Sequence, residues 1–164
     1  MIKFLLGIAI VAFTSYCGFV LAKKYRKRKL FFAQFKEFNE RFLSEVSYYR
    51  RPLGEFASKY VYKGEFQNFL HNFFAEIDEL SQSSEREITF DDCEFLSGED
   101  KDVIEDYFLM LGKGDSASQK GYFSSVKNGL LTLKTNAETA CKKYGDLYVK
   151  LGFLCGLLIL ILII

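Results

Sequence analysis

Residues Phe4 to Ala22, FLLGIAIVAFTSYCGFVLA, are nineteen consecutive uncharged and mostly apolar positions. As a helix they rise about 28 Å, enough to cross a hydrocarbon core about 30 Å thick. KKYRKRK follows at once, Lys23 to Lys29, six basic residues in seven. Such a block holds its end of an apolar span on the cytoplasmic side and is drawn to anionic headgroups. The expected topology has the N-terminus outside the cytoplasm and residue 30 inside. A cleaved signal peptide is the rival, because Val20-Leu21-Ala22 resembles a cleavage site. The apolar region is longer than signal peptides use, however, and the basic block sits on the wrong flank. A lipoprotein reading at Cys17 is weaker still, because bulky Tyr16 precedes the cysteine.

The chain ends on LGFLCGLLILILII, Leu151 to Ile164. Fourteen residues rise only about 21 Å as a helix, too little to span. Upstream, Phe123, Val126, Leu130, Leu133, Ala137, Ala140, Tyr144 and Leu147 recur at steps of three and four. Leu151, Leu154, Leu158 and Ile161 extend that register, which predicts one helix of more than forty residues whose seam begins in water and finishes in lipid. Counted from Leu147, the second span has eighteen residues and a length of about 27 Å, with Lys150 snorkelling to the interface. Lys142, Lys143 and Lys150 then lie on the cytoplasmic flank. Thr14, Gly18 and Ala22 form one small-residue stripe, and Gly152 with Gly156 another, with Gly145 on nearly the same face. Stripes of this spacing let helix backbones approach closely, either within one chain or between subunits.

Between the spans the charge reverses. Residues 1–29 carry seven basic residues and no acid, while residues 30–147 carry fourteen basic and twenty-one acidic residues. A composition of 49% apolar and 17% aromatic residues suffices for one domain with a sizeable core. A single proline and few β-branched residues favour helix. Phe31, Phe35, Phe38, Phe42, Val46 and Tyr49 predict that the first helix continues as far as Arg50-Arg51-Pro52. Pro52 opens a second helix carrying Leu53, Phe56, Ala57, Tyr60 and Val61, ended by Gly64. A third carries Phe66, Phe69, Leu70, Phe73, Phe74, Ile77 and Leu80. Polar residues 81–87 read as a loop. Thr89 caps a short helix through Leu96, and Ser97 or Asp100 caps another bearing Val103, Ile104, Tyr107, Phe108 and Leu111, with Gly112 at its C-terminus. The segment KGDSAS makes a turn from which Asp115 or Ser116 caps the long last helix. The predicted fold class is all-α: two transmembrane helices flanking a small cytoplasmic helical bundle of about six helices. Residues 1–29 form the first span with its basic stop, 30–147 the bundle, and 148–164 the second span.

Little here supports catalysis. His71 is the only histidine and has no nucleophile or acid arranged around it in sequence. There is no phosphate-binding glycine loop, and Cys17, Cys93, Cys141 and Cys155 show neither a CxxC pair nor metal-ligand spacing. Residues 76–106 hold thirteen acids and two bases, including Asp91, Asp92 and Glu94 in DDCE. Their spacing is not that of an EF-hand. A solvated face is the simplest reading, with a docking surface for a basic partner and a metal site as alternatives. The position of the basic block against an apolar span makes topology, not nucleic-acid binding, its sufficient cause. No enzyme activity, cofactor or metal is expected.

SYYRRPLGEFASKY near the first bend, LMLGKGDSASQ at the turn, and the ending KKYGDLYVKLGFLCGLLILILII together resemble the stage III sporulation protein AB family of endospore-forming bacteria. The resemblance covers essentially the whole chain. Its most specific pieces are Leu111, Gly112 and Asp115 with Gln119 after them, and Leu151, Gly152, Phe153 and Gly156 at the start of the tail. It implies a subunit of a secretion-like channel complex in the mother-cell membrane around the forespore. The family's soluble region is similar to the cytoplasmic domains of platform protein F of type II secretion and type IV pilus systems. A secretion-type ATPase, sister channel subunits and self-association are the implied partnerships, in addition to the bilayer itself. On this reading the residues expected to engage partners are Arg50, Arg51, Asp91, Asp92, Glu94, Leu111, Gly112, Asp115 and Gln119. A platform protein of another secretion or pilus system, and a membrane-tethered metal-binding enzyme, are the alternatives.

Overall fold

The structure, a computed structural model, describes residues 2–48, 56, 59–79, 88–90, 92–111 and 116–163. Helix α1 runs Ile2–Tyr48, α2 Glu65–Glu79, α3 Gly98–Met110, α4 Ser116–Ala140 and α5 Asp146–Ile163. A single π-turn, Cys141–Gly145, joins α4 to α5 without a break in helical backbone. With α4, the π-turn and α5 taken as one, the described residues hold four long helices and no strand, so the chain is all-α with fewer helices than the six expected. It divides into two compact units. One is Met1–Lys29 with Thr135–Ile164, and the other is Leu30–Lys134.

The unit of residues 30–134 is organised by phenylalanine. Phe31, Phe35, Phe38 and Phe42 lie on one face of α1, as their spacing predicts, and all are buried with Phe66, Phe69, Phe73, Phe108 and Phe123. Phe108 alone has ring neighbours in Phe35, Phe38, Phe69, Phe73 and Tyr107 at centroid distances of 4.8 to 5.7 Å. Most of these pairs are tilted or edge-to-face, the arrangements the ring quadrupole favours. Burying each such side chain contributes about 1.5–3 kcal/mol.

Two polar side chains interrupt this apolar core. Asn39 is fully buried, and its Oδ1 accepts from the Tyr107 hydroxyl at 3.0 Å while its Nδ2 donates to the Phe123 carbonyl at 3.3 Å. The amide thereby ties α1 to α3 and α4. Glu45 is also buried, accepts from the Tyr60 hydroxyl at 2.8 Å, and pairs with Lys59. Neither residue stands out in the apolar pattern. Asn39, however, sits four residues after Phe35 and three before Phe42, which places it on the buried face.

Two local expectations are corrected. The helix expected from Thr89 to Leu96 does not form among the described residues. Instead Cys93 N–H donates to the Phe90 carbonyl and Leu96 N–H to the Cys93 carbonyl, two successive tight turns that tuck Ile88, Cys93, Phe95 and Leu96 inward. The expected helix opened by Pro52 lies mostly outside the described residues; within it Phe56 and Lys59 are described and helical, and only its expected end is overturned. Residues 60–63 are not helical, because Tyr62 N–H donates to Gln67 Oε1 and Lys63 N–H to Gln34 Oε1, and Val61 points outward. Gly64 follows with φ of +65°, a turn conformation that L side chains rarely adopt, and leads directly into α2.

Helix α3 begins as its sequence dictates. Ser97 is the N-cap: its Oγ accepts from Asp100 N–H at 3.2 Å, while Asp100 Oδ2 accepts from Ser97 N–H at 3.0 Å. The two residues expected as alternative caps form one reciprocal capping box. Leu111 is the C-cap of the helix, its N–H donating to the Phe108 carbonyl, and the expected glycine Gly112 lies outside the described residues.

Candidate membrane hairpin and interaction surface

Two helical stretches among the described residues, Leu6–Glu45 and Ala117–Leu162, are long and apolar enough to cross a membrane. Only 17% and 11% of their most apolar windows are buried, whereas the core helix of a soluble protein would be mostly buried. Leu6, Phe13, Phe19, Phe153, Leu158 and Leu162 all face outward.

Within the unit of residues 1–29 and 135–164 the two stretches run antiparallel and touch through their smallest residues. A Cβ built on Gly18 would fall 2.5 Å from the Tyr148 carbonyl oxygen and 3.2 Å from Gly152 Cα. One on Gly152 would fall 2.6 Å from the Thr14 carbonyl oxygen and 3.1 Å from Gly18 Cα. One on Gly156 would run into Thr14 Oγ1 and fall 2.9 Å from Val11 Cα. The structure thus brings Thr14, Gly18, Gly152 and Gly156 together in one chain, and Ala22 is fully buried in the same unit. The Thr14 hydroxyl lies 3.1 Å from the carbonyl oxygens of both Ile10 and Val11, so its donor is satisfied inside its own helix where no water is needed.

The register expected for the tail is corrected. Ala137 is buried as the seam predicts, but Leu147, Leu151, Leu154, Leu158 and Ile161 are exposed, and the inward positions are Gly145 and Gly156, with Gly152 half-buried. The π-turn supplies the reason. It holds one residue more than an α-turn and rotates everything after it by about 100°. The leucine seam is turned outward and the glycines inward.

Three tyrosines close the hairpin at its basic end: Tyr144, expected only as a member of the apolar seam, and Tyr25 and Tyr148, which the sequence did not single out. The Tyr25 ring lies 5.5 Å from that of Tyr144 and 5.9 Å from that of Tyr148. Tyrosines beside a basic block at the end of an apolar span are the signal that would have found them. Gly7, against Leu160, is a further close approach.

Of the residues expected to meet partners, Asp92, Glu94, Leu111 and Gln119 are among the described residues. Asp92 and Glu94 are exposed on the double turn, on either side of buried Cys93. Leu111 is fully buried and offers no side chain to a partner, while Gln119 is half-buried near the start of α4. Arg50, Arg51, Asp91, Gly112 and Asp115 lie outside the described residues. His71 is exposed on α2. No group of three or more His, Cys, Asp or Glu side chains converges as a metal site would among the described residues.

The strongest electrostatic perturbations lie in the bundle. Burial pushes the Tyr62 phenol up to about 12, against the opposing pull of Arg41, whose guanidinium lies 5.2 Å from its ring centroid. Tyr107 is raised well above its ordinary value, also by burial. Raised phenols inside an aromatic core stabilise a neutral interior and supply no acid or base for chemistry near neutral pH.

No solved structure matches the chain. A curated relative, stage III sporulation protein AB of Bacillus subtilis (strain 168), is 28% identical over 171 residues, an alignment covering 99% of each chain. The family model described as stage III sporulation protein AB matches residues 3–164. That match takes in both apolar helices as well as the aromatic bundle, and the chain belongs to the stage III sporulation protein AB family.

Proposed function

We propose that this protein is a non-enzymatic, structural membrane subunit of a sporulation-specific, secretion-like channel complex between mother cell and forespore. Two spans form a hairpin in the mother-cell membrane, both termini lie outside the cytoplasm, and the bundle faces the cytoplasm. There the bundle docks a secretion-type ATPase and sister subunits. The observation that carries the reading is the backbone contact of Gly18 with Gly152 and of Thr14 with Gly156, which gives two otherwise exposed apolar helices a built interface. Such an interface suits an integral hairpin, because lipid gives no hydrophobic drive for helix association and close backbone packing has to replace it. The exposed acids Asp92 and Glu94 favour a basic docking partner, whose association would weaken with salt.

In vivo cross-linking and co-purification from sporulating cells test this. Recovery of a secretion-type ATPase and other membrane subunits is the expected result, and recovery of the chain alone after cross-linking would refute it. Introduced cysteines supply the topology: residue 61 should label only from the cytoplasmic side.

A further inference from the structure

The antiparallel register of the hairpin decides which cations share a level. Gly18 lies against Gly152, Thr14 against Gly156, and Tyr25 between Tyr144 and Tyr148. Lys23, Lys24 and Arg26 lie within two residues of Tyr25, and Lys142 and Lys143 within two of Tyr144, so all five sit within about 3 Å of the level of that ring contact along the helix axes. Residues 1–29 hold seven cations and residues 135–164 hold Lys142, Lys143 and Lys150, against only two acids, Glu138 and Asp146. Lys23, Lys24, Arg26, Lys142 and Lys143 are all exposed. Arg26 lies 5.5 Å from the Phe19 ring centroid and Lys143 lies 5.1 Å from that of Tyr144, so both cations rest on aromatic faces beside the apolar spans.

The geometry points to an anionic phospholipid seat: Lys23, Lys24, Arg26, Lys142 and Lys143, around the Tyr25–Tyr144 pair, hold the phosphate headgroups of acidic lipids. The inference rests on the membrane-hairpin reading above. Two helices contribute like charge to one level, and the unit itself contains too few acids to neutralise it. The missing negative charge has to come from a layer lying where the apolar side chains end, which is where headgroup phosphates lie. A nucleic acid would supply the charge but not the adjoining apolar medium in which Phe19 and the outer faces of the spans sit.

The test uses the full chain in nanodiscs containing equal parts phosphatidylglycerol and phosphatidylcholine, with the lipids that stay bound after detergent release counted by native mass spectrometry. Phosphatidylglycerol should be enriched around the wild type. The enrichment should fall at least about tenfold in K23Q/K24Q/K142Q/K143Q and should be unchanged in the bundle control K120Q/K127Q. Retention of the enrichment in the fourfold variant, its displacement by millimolar inorganic phosphate, or preferential capture of a single-stranded oligonucleotide would each overturn the proposal. Alkaline carbonate extraction from phosphatidylcholine vesicles separates the two readings. Loss of the chain to the supernatant overturns both, while retention without phosphatidylglycerol enrichment overturns the headgroup seat alone.

Discussion

Adding one methyl group at Gly152 gives the hairpin a quantitative test. The new Cβ would lie 2.6 Å from the Thr14 carbonyl oxygen, against 3.4 Å for the near edge of ordinary van der Waals contact, so about 0.8 Å of separation must be found. The opposing atoms belong to backbone, including Gly18 Cα at 3.1 Å, so no side chain can rotate away and the helices themselves must part. A gap of that size forfeits about a quarter to a half of each affected dispersion contact. Overpacking of this kind typically costs about 1–3 kcal/mol, and Gly152→Leu should exceed that range and open the hairpin. The control is built in: Cβ atoms at Gly121 and Gly129 of α4 meet nothing within 4 Å. Alanine there should stabilise by about 0.5–1 kcal/mol through helix propensity. The assay is a distance between nitroxides at Ile8→Cys and Ile161→Cys, measured by double electron–electron resonance in nanodiscs. The chain is otherwise freed of cysteine. Gly152→Leu should broaden and lengthen that distance while Gly121→Ala leaves it alone. An unchanged distribution in Gly152→Leu would refute the reasoning.

Other consequences follow from the bundle. Tyr107→Phe removes the donor to buried Asn39 Oδ1 and should destabilise by about 1–3 kcal/mol in denaturant titration, whereas Tyr122→Phe, whose hydroxyl lies at the surface, should change stability by under about 0.5 kcal/mol. Ser97→Ala removes half of the capping box and should cost about 1 kcal/mol, read as faster amide exchange confined to the first turn of α3. Alkaline pH should loosen the bundle. The folded Tyr62 phenol titrates near 12 and the unfolded one near 10, so the neutral form is favoured in the fold. Its contribution is complete below pH 10 and is lost as pH rises from 10 towards 12. Phenolate absorbance should therefore lag behind that of free tyrosine and then rise together with loss of helical circular dichroism; Tyr62 ionising freely in the intact bundle would contradict the burial.

How much of this was legible in the sequence depended on the solvent around each segment. In the bundle, water on one side and packing on the other impose a period, and Phe31, Phe35, Phe38 and Phe42 announce their face directly. In the spans almost every side chain is apolar, so periodicity loses its meaning. Extending the leucine seam through Leu151, Leu154 and Leu158 followed the largest side chains, while the packed face is made of the smallest. The glycine and threonine stripes were the better guide there. The π-turn itself has no signature in CKKYG that apolar spacing could register, and it changed the answer for every residue after it. The segment 88–97 misled because Ile88, Cys93 and Leu96 can be fitted to a helix, although local hydrogen bonds close it into turns. The expected docking residues were legible as an exposed acidic patch at Asp92 and Glu94, whereas Leu111, prominent in the family resemblance, serves packing.

The π-turn gives the tail an unequal tolerance to changes in length. Cys141–Gly145 stores one surplus residue in a widened turn. Deleting one residue there lets the turn relax to ordinary α-geometry and leaves Gly152 and Gly156 aimed at Gly18 and Thr14. The same deletion three turns earlier in α4 or three turns later in α5 rotates one flank against the other by about 100°. Single-residue deletions in this helix should therefore be tolerated at that one turn, where the hairpin can lose a residue without losing its glycine contact.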